Sequence, residues 1–237
     1  MPTIDEIIAQ LSFLVATPSV LGVGITAAVM VLLRDWRASV AALAGQAVLT
    51  ALLYTLLLPA QLIGAKLLVG LFVALIYFVT GAQLSVFADP HPAQAGGPWW
   101  RRLQLRSQAL FRLFAVLMVA VASTQVSVQL QGVFQVPALV ADAGVLLVGL
   151  GLLNLGLSDS PFLTGLGLTT LLMSFGLFYS AVEPSLAVMA MLAGVDFAVA
   201  LAASYLSLSE AAKLLAAAEA TPPSPHEDVA AAEEPGA

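Results

Sequence analysis

The stretch from Gln61 to Phe87 reads QLIGAKLLVGLFVALIYFVTGAQLSVF and carries one charged residue, Lys66. An α-helix needs about 20 apolar residues to cross the hydrocarbon core of a bilayer, so this stretch is long enough to span one. Its apolar run is continuous, whereas the strands of a membrane β-barrel alternate apolar and polar residues. The stretch therefore predicts a transmembrane helix.

The rest of the chain has the same character. Of its 237 residues, 60% are hydrophobic and only 9% are charged, whereas soluble domains contain about 25% charged residues. The sequence therefore predicts an all-α integral membrane protein with about seven transmembrane helices. Besides 61–87, the predicted spans are 19–33, 38–58, 110–130, 136–157, 162–182 and 185–208.

The predicted spans divide the chain into six parts. Thr3 and Glu6 form a capping-box pattern, which predicts a capped amphipathic helix at the N-terminus. The last part is rich in alanine, proline and acidic residues, and we expect it to be disordered. In order, the parts are 1–17, the first three transmembrane helices at 18–88, a basic cytoplasmic loop at 89–109, the fourth helix at 110–130, the last three helices at 136–210 and the acidic tail at 218–237.

Lysine and arginine residues predict the orientation of the chain. With seven crossings, the cations that flank the spans fall on one side, which the positive-inside rule makes cytoplasmic. An even number of crossings would place Lys213 on the opposite side, which favours seven. We expect a cell (inner) membrane protein with its N-terminus outside and its C-terminus in the cytoplasm. The cations are Arg34, Arg37, Arg101, Arg102, Arg106, Arg112 and Lys213.

A weak internal similarity links the two ends of the predicted bundle. The tripeptide LRD at 33–35 resembles LSD at 157–159, and Pro59 and Pro184 follow these tripeptides at matching distances. Parallel repeats are known in transporter folds. The sequence therefore allows spans one to three and five to seven to be two parallel three-helix repeats, joined by the extra fourth helix.

Several kinds of chemistry are not expected. The chain has no cysteine and only two histidines, so cysteine-bound iron–sulfur and zinc centres are excluded. The common nucleotide-binding and hydrolase motifs are absent from the sequence. Basic residues with interleaved aromatic ones occur in only one short loop, so nucleic acid is not an expected partner. We predict neither enzymatic activity nor catalytic residues, and no cofactor or metal site.

Asp196 is the sharpest candidate for a functional residue. It lies twelve residues beyond Pro184, or about 18 Å of helix rise, which is near the centre of the bilayer. A carboxylate at that depth costs a few kcal/mol even on the most lenient scale. Two interpretations stand: a protonatable relay or ion ligand, or a protonated acid that hydrogen-bonds a neighbouring helix.

Three hydroxyl side chains lie in the middle of the sixth predicted span. They are Thr169, Thr170 and Ser174, and they could face Asp196 in a polar path. Such hydroxyls more often bond the carbonyl four residues back in their own helix. Both interpretations stay open from the sequence.

Lys66, Asp142 and Glu183 complete the candidates for a proton or ion path. Lys66 lies five residues into its span, and we expect its long stem to reach the outer surface. The alternative is a pair with Glu183 or Asp142 near the same face. Asp142 is shallow enough to be hydrated, and Glu183 is expected in a solvated turn. Glutamines such as Gln46 are expected to form interhelical hydrogen bonds.

The last third of the chain resembles the K-type subunit of respiratory complex I. The matching segments are GLLNLGL at 151–157, FLTGLGL at 162–168, MSFGL at 173–177 and LAGVD at 192–196. The likeness covers residues 139–208. Relatives of that three-helix subunit include the C subunit of multisubunit cation/proton antiporters and component E of membrane-bound group 4 hydrogenases. The N-terminal half, with LLRDWR at 32–37, looks like the longer hydrogenase component E.

The resemblance implies a role in proton translocation. The family carries two intramembrane glutamates in a proton path, and the position on its third helix matches Asp196. The position on its second helix matches Thr169, which cannot carry a proton as a carboxylate does, so the completeness of the path is in question. The implied partners, besides the lipid bilayer, are larger antiporter-like or hydrogenase membrane subunits.

Three functional hypotheses follow. The first is a non-catalytic membrane subunit of an ion-translocating complex, with Asp196 as a protonatable link. The second is a structural multi-pass scaffold without a transport path, in which Asp196 anchors two helices. The third is a free-standing small transporter built from the two halves. That transporter would require a polar cavity between the halves, although the first half has no carboxylate in the middle of a span.

Overall fold

The computed structural model describes residues 17–33, 35–87, 99–134, 136–183 and 185–220, and these form seven α-helices. The predicted all-α fold with seven helices is confirmed. Six of the helices are long and apolar enough to cross a membrane, and the first is a shorter apolar helix. The helices are α1 (Thr17–Leu32), α2 (Trp36–Tyr54), α3 (Ala60–Phe87), α4 (Trp99–Phe134), α5 (Ala138–Leu157), α6 (Pro161–Val182) and α7 (Leu186–Ala220).

Short polar breaks separate the helices where the sequence supplies capping residues. Asp35 precedes α2, and its carboxylate accepts a hydrogen bond from the backbone N–H of Arg37 at 3.1 Å. Ser160 precedes α6, and its hydroxyl accepts one from the N–H of Leu163 at 3.4 Å. Pro161 then occupies the first turn of α6, where its missing N–H costs nothing. The local sequence thus starts α2 and α6 at defined residues.

The helices form two groups of three that pack side by side. In the first group α2 packs between α1 and α3, and in the second α6 packs between α5 and α7. Across the groups, α1 contacts α5, α2 contacts α6, and α3 contacts α7. Each helix of the first group therefore lies against its counterpart in the second.

Particular contacts show that these counterpart helices run in the same direction. Gly24 in the middle of α1 meets Leu146 in the middle of α5, and the C-terminal ends of both helices meet at the side chain of Arg112. In α3 and α7, the early residues Lys66 and Asp196 meet each other. This arrangement is compatible with two parallel three-helix repeats, and the repeat relation itself stays a prediction.

Helix α4 lies on the outside of the bundle, against α5 and α1. Only 6% of the most apolar part of this helix is buried. Large side chains such as Phe111, Phe114 and Leu117 are exposed. In a bilayer such side chains face hydrocarbon. Two hydrogen bonds fix the helix to the bundle: the Arg112 guanidinium donates to the carbonyl oxygens of Val31 at 3.2 Å and Leu157 at 3.3 Å.

Several helix ends differ from the sequence-based boundaries. Helix α4 begins at Trp99, within the expected loop at 89–109, because no glycine or proline follows before Leu110 and the arginines and leucines there favour a helix. Helix α2 ends at Tyr54 and is followed by a turn, and α7 continues to Ala220, past the expected end at 208. The helix predicted within 1–17 and most of the acidic tail lie outside the described residues.

Candidate functional site

A buried ion pair joins the two halves of the bundle. The Lys66 Nζ atom of α3 lies 3.9 Å from Oδ2 of Asp196 on α7, and the two side chains are only 10% and 13% exposed. Asp196 lies ten residues into its helix, about 15 Å along α7. The two charged groups therefore meet inside the bundle, away from the helix ends.

A small cavity of about 30 Å³ adjoins the pair. It lies between the halves, since α2 and α3 supply one wall and Met173 of α6 with Asp196 of α7 supply the other. About 10–15 Å³ of such space is enough for a water molecule, so the cavity can hold one or two. It is too small for an organic solute. Its lining is Ala47, Thr50, Ala51, Tyr54, Lys66, Val69, Gly70, Met173 and Asp196.

Tyr54 and Gly176 complete the immediate surroundings of the pair. The Tyr54 side chain is 3% exposed, hydrogen-bonds Ser180 and interacts electrostatically with Asp196. A Cβ at Gly176 would lie 3.0 Å from the Tyr54 hydroxyl oxygen and 3.4 Å from the Lys66 Nζ atom. Glycine at 176 thus provides the space that both polar groups occupy, and a larger residue would displace them.

The energetics of the pair argue against a merely stabilising role. At 3.9 Å, two unit charges attract each other by about 4 kcal/mol in a medium with an effective dielectric constant of about 20. Removing each ion from water costs several kcal/mol, so a buried pair is often no more stable than two apolar residues of similar size. A pair of this kind is therefore weak evidence for a role in folding stability alone, which favours a functional reason for its presence.

The position of Lys66 corrects the expectation from the sequence. Its stem was expected to reach the outer surface, with Glu183 or Asp142 as the alternative partner. The ammonium group instead lies inside the bundle and pairs with Asp196. The physical reason is the rotation of α3 about its axis, which turns Lys66 towards α7 and the space left by Gly176.

The three hydroxyl residues of α6 make their hydrogen bonds away from the pair. Thr169 and Thr170 donate to the carbonyls of Gly165 and Leu166, four residues back in α6. The Thr169 hydroxyl also lies 3.1 Å from that of Tyr77. Ser174 donates across the helix interface to the Gly144 carbonyl on α5 at 2.7 Å. All three are buried, and the contacts of Thr169 with Tyr77 and of Ser174 with Gly144 connect α6 to neighbouring helices.

Asp142 and Glu183 lie away from the pair as well. The Asp142 carboxylate accepts a hydrogen bond of 3.4 Å from Gln131 of α4. Glu183 is exposed in the turn after α6, where its carboxylate accepts a 3.4 Å hydrogen bond from Tyr179. The structure thus places Asp196 and Lys66 together and leaves the other candidates from the sequence in separate places.

Thr50 and Tyr54 were not predicted from the sequence as part of the site. With Gln46 they recur every fourth residue, which places all three on one face of α2. This regular spacing of polar side chains in an otherwise apolar span is the feature of the sequence that could have identified them. Gln46 was expected to bond a neighbouring helix, but both polar atoms of its amide lack a hydrogen-bond partner in the described part of the chain.

Neither a cluster of metal-binding side chains in the described ranges nor a known relative identifies the site. Among residues 17–33, 35–87, 99–134, 136–183 and 185–220, no three or more histidine or acidic side chains form a group that could hold a metal ion. No protein-family model, curated protein or solved structure matches this chain. The resemblance to K-type subunits therefore stays a prediction.

Proposed function

We propose that this chain is a non-catalytic membrane subunit of a proton-translocating complex, in which Asp196 exchanges protons beside Lys66. The observation that carries the proposal is the buried ion pair between α3 and α7, next to a cavity of water size. Charged residues inside a membrane protein are rare and commonly mark an ion or proton pathway. The likeness of residues 139–208 to K-type subunits is consistent with this role.

In the proposed cycle, a proton reaches the Asp196 carboxylate and converts it to a neutral carboxyl group. The pair with Lys66 is then broken, and the cavity carries the charge of the ammonium group alone. Release of the proton restores the carboxylate and the pair. A partner that changes the electrostatic field or the packing of α3 against α7 would drive these steps in one direction. Larger antiporter-like or hydrogenase-type membrane subunits are the proposed partners.

The proposed topology follows the distribution of cations. We infer that the N-terminus lies outside and the C-terminus in the cytoplasm of a cell with an energised inner membrane. The pair would then lie nearer the outer face, because Lys66 follows the start of α3 by only six residues. The polar residues of α2 would continue from it towards the cytoplasm.

One observation favours a second candidate, a free-standing small transporter. That function requires a polar cavity at the interface of the two halves, and the cavity beside Lys66 and Asp196 is lined by both. Transporters with repeated halves place their sites at such an interface. The cavity of about 30 Å³ restricts the cargo to a proton or a similarly small species.

The test measures proton movement in vesicles. The protein is purified under mild conditions, together with any subunits that accompany it, and reconstituted with a pH-sensitive dye inside. A potassium diffusion potential then drives proton uptake. We expect Asp196→Asn to lower the uptake rate by about 100-fold or more, the scale of loss seen when a proton-transfer group is removed.

Glu210→Gln is the matched control, because Glu210 is an exposed carboxylate on the same helix. It should transport as the wild type does, and both variants should retain their copurifying subunits. Copurification of large membrane subunits supports the complex, and uptake by the isolated chain supports the transporter. Normal uptake by Asp196→Asn would disprove both.

A further inference from the structure

Two polar side chains of α2 are buried with unsatisfied hydrogen-bonding groups. Gln46 is fully buried, and Thr50 is 3% exposed. The Oε1 and Nε2 atoms of Gln46 and the Oγ1 atom of Thr50 have no hydrogen-bond partner among the described residues. Each such group costs about 1–3 kcal/mol if it stays unpaired. Buried polar groups in native proteins are usually satisfied by protein or by ordered water.

The two residues lead away from the ion pair along one face of α2. Tyr54 and Thr50 both line the cavity, and Gln46 lies one helical turn beyond Thr50. From Gln46 to Tyr54 the stripe covers eight residues, or about 12 Å of helix. Besides Lys66 and Asp196, the residues that α3, α6 and α7 contribute to the cavity are Val69, Gly70 and Met173, and none of these three is charged.

The geometry of the pair also leaves room for water. Direct charge-assisted hydrogen bonds are about 2.7–2.9 Å long, whereas the Lys66 Nζ and Asp196 Oδ2 atoms are 3.9 Å apart. Across a polar contact of this length, a water beside the two groups can hydrogen-bond to both of them. The adjoining cavity of about 30 Å³ has room for such a molecule.

We propose that water occupies the cavity beside the Lys66–Asp196 pair, and that Thr50, with Gln46 one helical turn further along α2, holds the water chain along which protons leave Asp196. This inference rests on the proposed proton exchange at Asp196 and adds the route. The Asp196 carboxyl group gives its proton to a cavity water, which restores the carboxylate. The positive charge then moves along the waters, because each water accepts a proton from one neighbour and donates another proton to the next.

Thr50 and Gln46 orient these waters without a net change in their own protonation. The Thr50 hydroxyl and the Gln46 amide each both donate and accept hydrogen bonds. The titratable groups that face Asp196 from the packed helices are Lys66 of α3 and Tyr54 of α2. From α6, Met173 lines the cavity, Gly176 lies beside Tyr54 and Lys66, and Ser180 hydrogen-bonds Tyr54; none of these three titrates.

The first test detects the water itself. In hydroxyl-radical footprinting, an X-ray pulse oxidises side chains that lie beside water. Met173 lines the cavity, whereas Met30 is buried at 3% exposure among the helices. We expect Met173 to be oxidised several-fold faster than Met30 in the wild-type protein in membranes. Equal, low oxidation of both methionines would overturn the proposal.

The second test separates a water-binding role from a structural one. Gln46→Leu and Thr50→Val remove the polar groups at similar volume. Because these groups have no protein partner, their loss should leave the melting temperature unchanged or raise it. Proton uptake should nevertheless slow by about tenfold, which corresponds to a barrier about 1.4 kcal/mol higher. Oxidation of Met173 should fall in parallel.

Thr80→Val is the matched control. Thr80 is equally buried, but its hydroxyl bonds the Ile76 carbonyl of its own helix at 2.9 Å. Its uptake rate should equal that of the wild type. If Gln46→Leu and Thr50→Val also transport normally while Asp196→Asn does not, the proposed water route along α2 is wrong. Proton exchange at Asp196 is then still supported. If Met173 is oxidised but Asp196→Asn transports normally, the water is real and the proposed function fails.

Discussion

The Lys66–Asp196 pair crosses the boundary between the two groups of helices. A lysine on α3 and an aspartate on α7 meet in a space that Gly176 of α6 leaves open. A pair in this position couples the separation of α3 and α7 to the charge of one carboxyl group. Because buried ion pairs often contribute little to folding, the proposed proton exchange would account for this pair better than stability does.

A double-mutant cycle tests the pair directly. Lys66→Met leaves a carboxyl group without its cation, and Asp196→Asn leaves a buried ammonium without its anion. Each single change should cost about 3 kcal/mol, as expected when one partner of a buried pair is removed. The double variant has no unpaired charge and should be more stable than either single variant. Thermal unfolding in detergent measures all four proteins. Additive losses would show that the two groups do not interact.

Gly176→Ala tests the steric requirement of the site. The new methyl group would lie 3.0 Å from the Tyr54 hydroxyl oxygen and 3.4 Å from the Lys66 Nζ atom. We expect slower proton uptake, because the ammonium must move away from Asp196. Gly64→Ala is the control on α3, since a Cβ there meets nothing within 4 Å. It should gain roughly 0.5–1 kcal/mol of helix stability and transport normally. Equal proton uptake rates of Gly176→Ala and Gly64→Ala would show that the space at Gly176 is not required by the site.

The residues of the site differed in how far the sequence could predict them. Asp196 could be predicted as a candidate because a carboxylate inside a long apolar run is energetically costly and therefore rare. Lys66 was placed at the surface, because α3 is apolar on all sides and its pattern does not reveal how the helix is rotated. Thr50 and Gln46 were visible only as a four-residue spacing, whose meaning depends on the cavity beside them.

At the scale of helices, the sequence predicted the number of elements better than their ends. Apolar length alone identified the seven helices. It could not show that α4 starts at Trp99 or that α7 runs to Ala220, since hydropathy marks where a helix leaves the hydrocarbon and not where its hydrogen bonding ends. Both helices continue past their apolar part through residues with good helix propensity.

Arg112 connects three helices, and its loss should loosen the bundle. Its guanidinium group on α4 donates to the last carbonyls of α1 and α5, where the helix dipoles attract a cation. Arg112→Lys keeps the positive charge. The lysine ammonium, however, lacks the planar, forked guanidinium group that donates to two acceptors at once. We expect a loss of about 1.5–3 kcal/mol, the scale of one charged hydrogen bond.

Thermal unfolding of Arg112→Lys in detergent measures this loss. Lys213→Gln is the comparison, since Lys213 is an exposed cation on α7. Its melting temperature should match that of the wild type. An Arg112→Lys protein as stable as the wild type would contradict the proposed clamp between α1, α4 and α5.

At the scale of the whole molecule, two three-helix groups lie side by side with counterpart helices in contact and parallel. The sequence suggested this organisation from two tripeptides and two prolines. The position of the cavity between the groups could not be predicted, because it depends on contacts among residues far apart in the chain. The fold thus follows largely from composition, whereas the site follows from packing.

The absence of cysteine from the sequence allows a clean test of the predicted topology. A single cysteine is introduced either at Pro59, in the exposed turn between α2 and α3, or at Ala237 at the C-terminus. A membrane-impermeant maleimide is then added to intact cells. We expect Pro59→Cys to be labelled at once and Ala237→Cys only after lysis. The reverse pattern would invert the orientation, and labelling of both in intact cells would contradict seven crossings.

Asp196 is proposed to take up and release protons inside the bundle, and infrared difference spectroscopy can follow this exchange at the carboxyl group itself. Spectra of the protein in lipid, recorded between alkaline and acidic buffer, reveal the carbonyl stretch of every carboxyl group that gains a proton. We predict a reversible band that is missing in Asp196→Asn, is kept in Glu210→Gln, and shifts when Lys66 is replaced by methionine. A spectrum of Asp196→Asn identical to that of the wild type would contradict the claim.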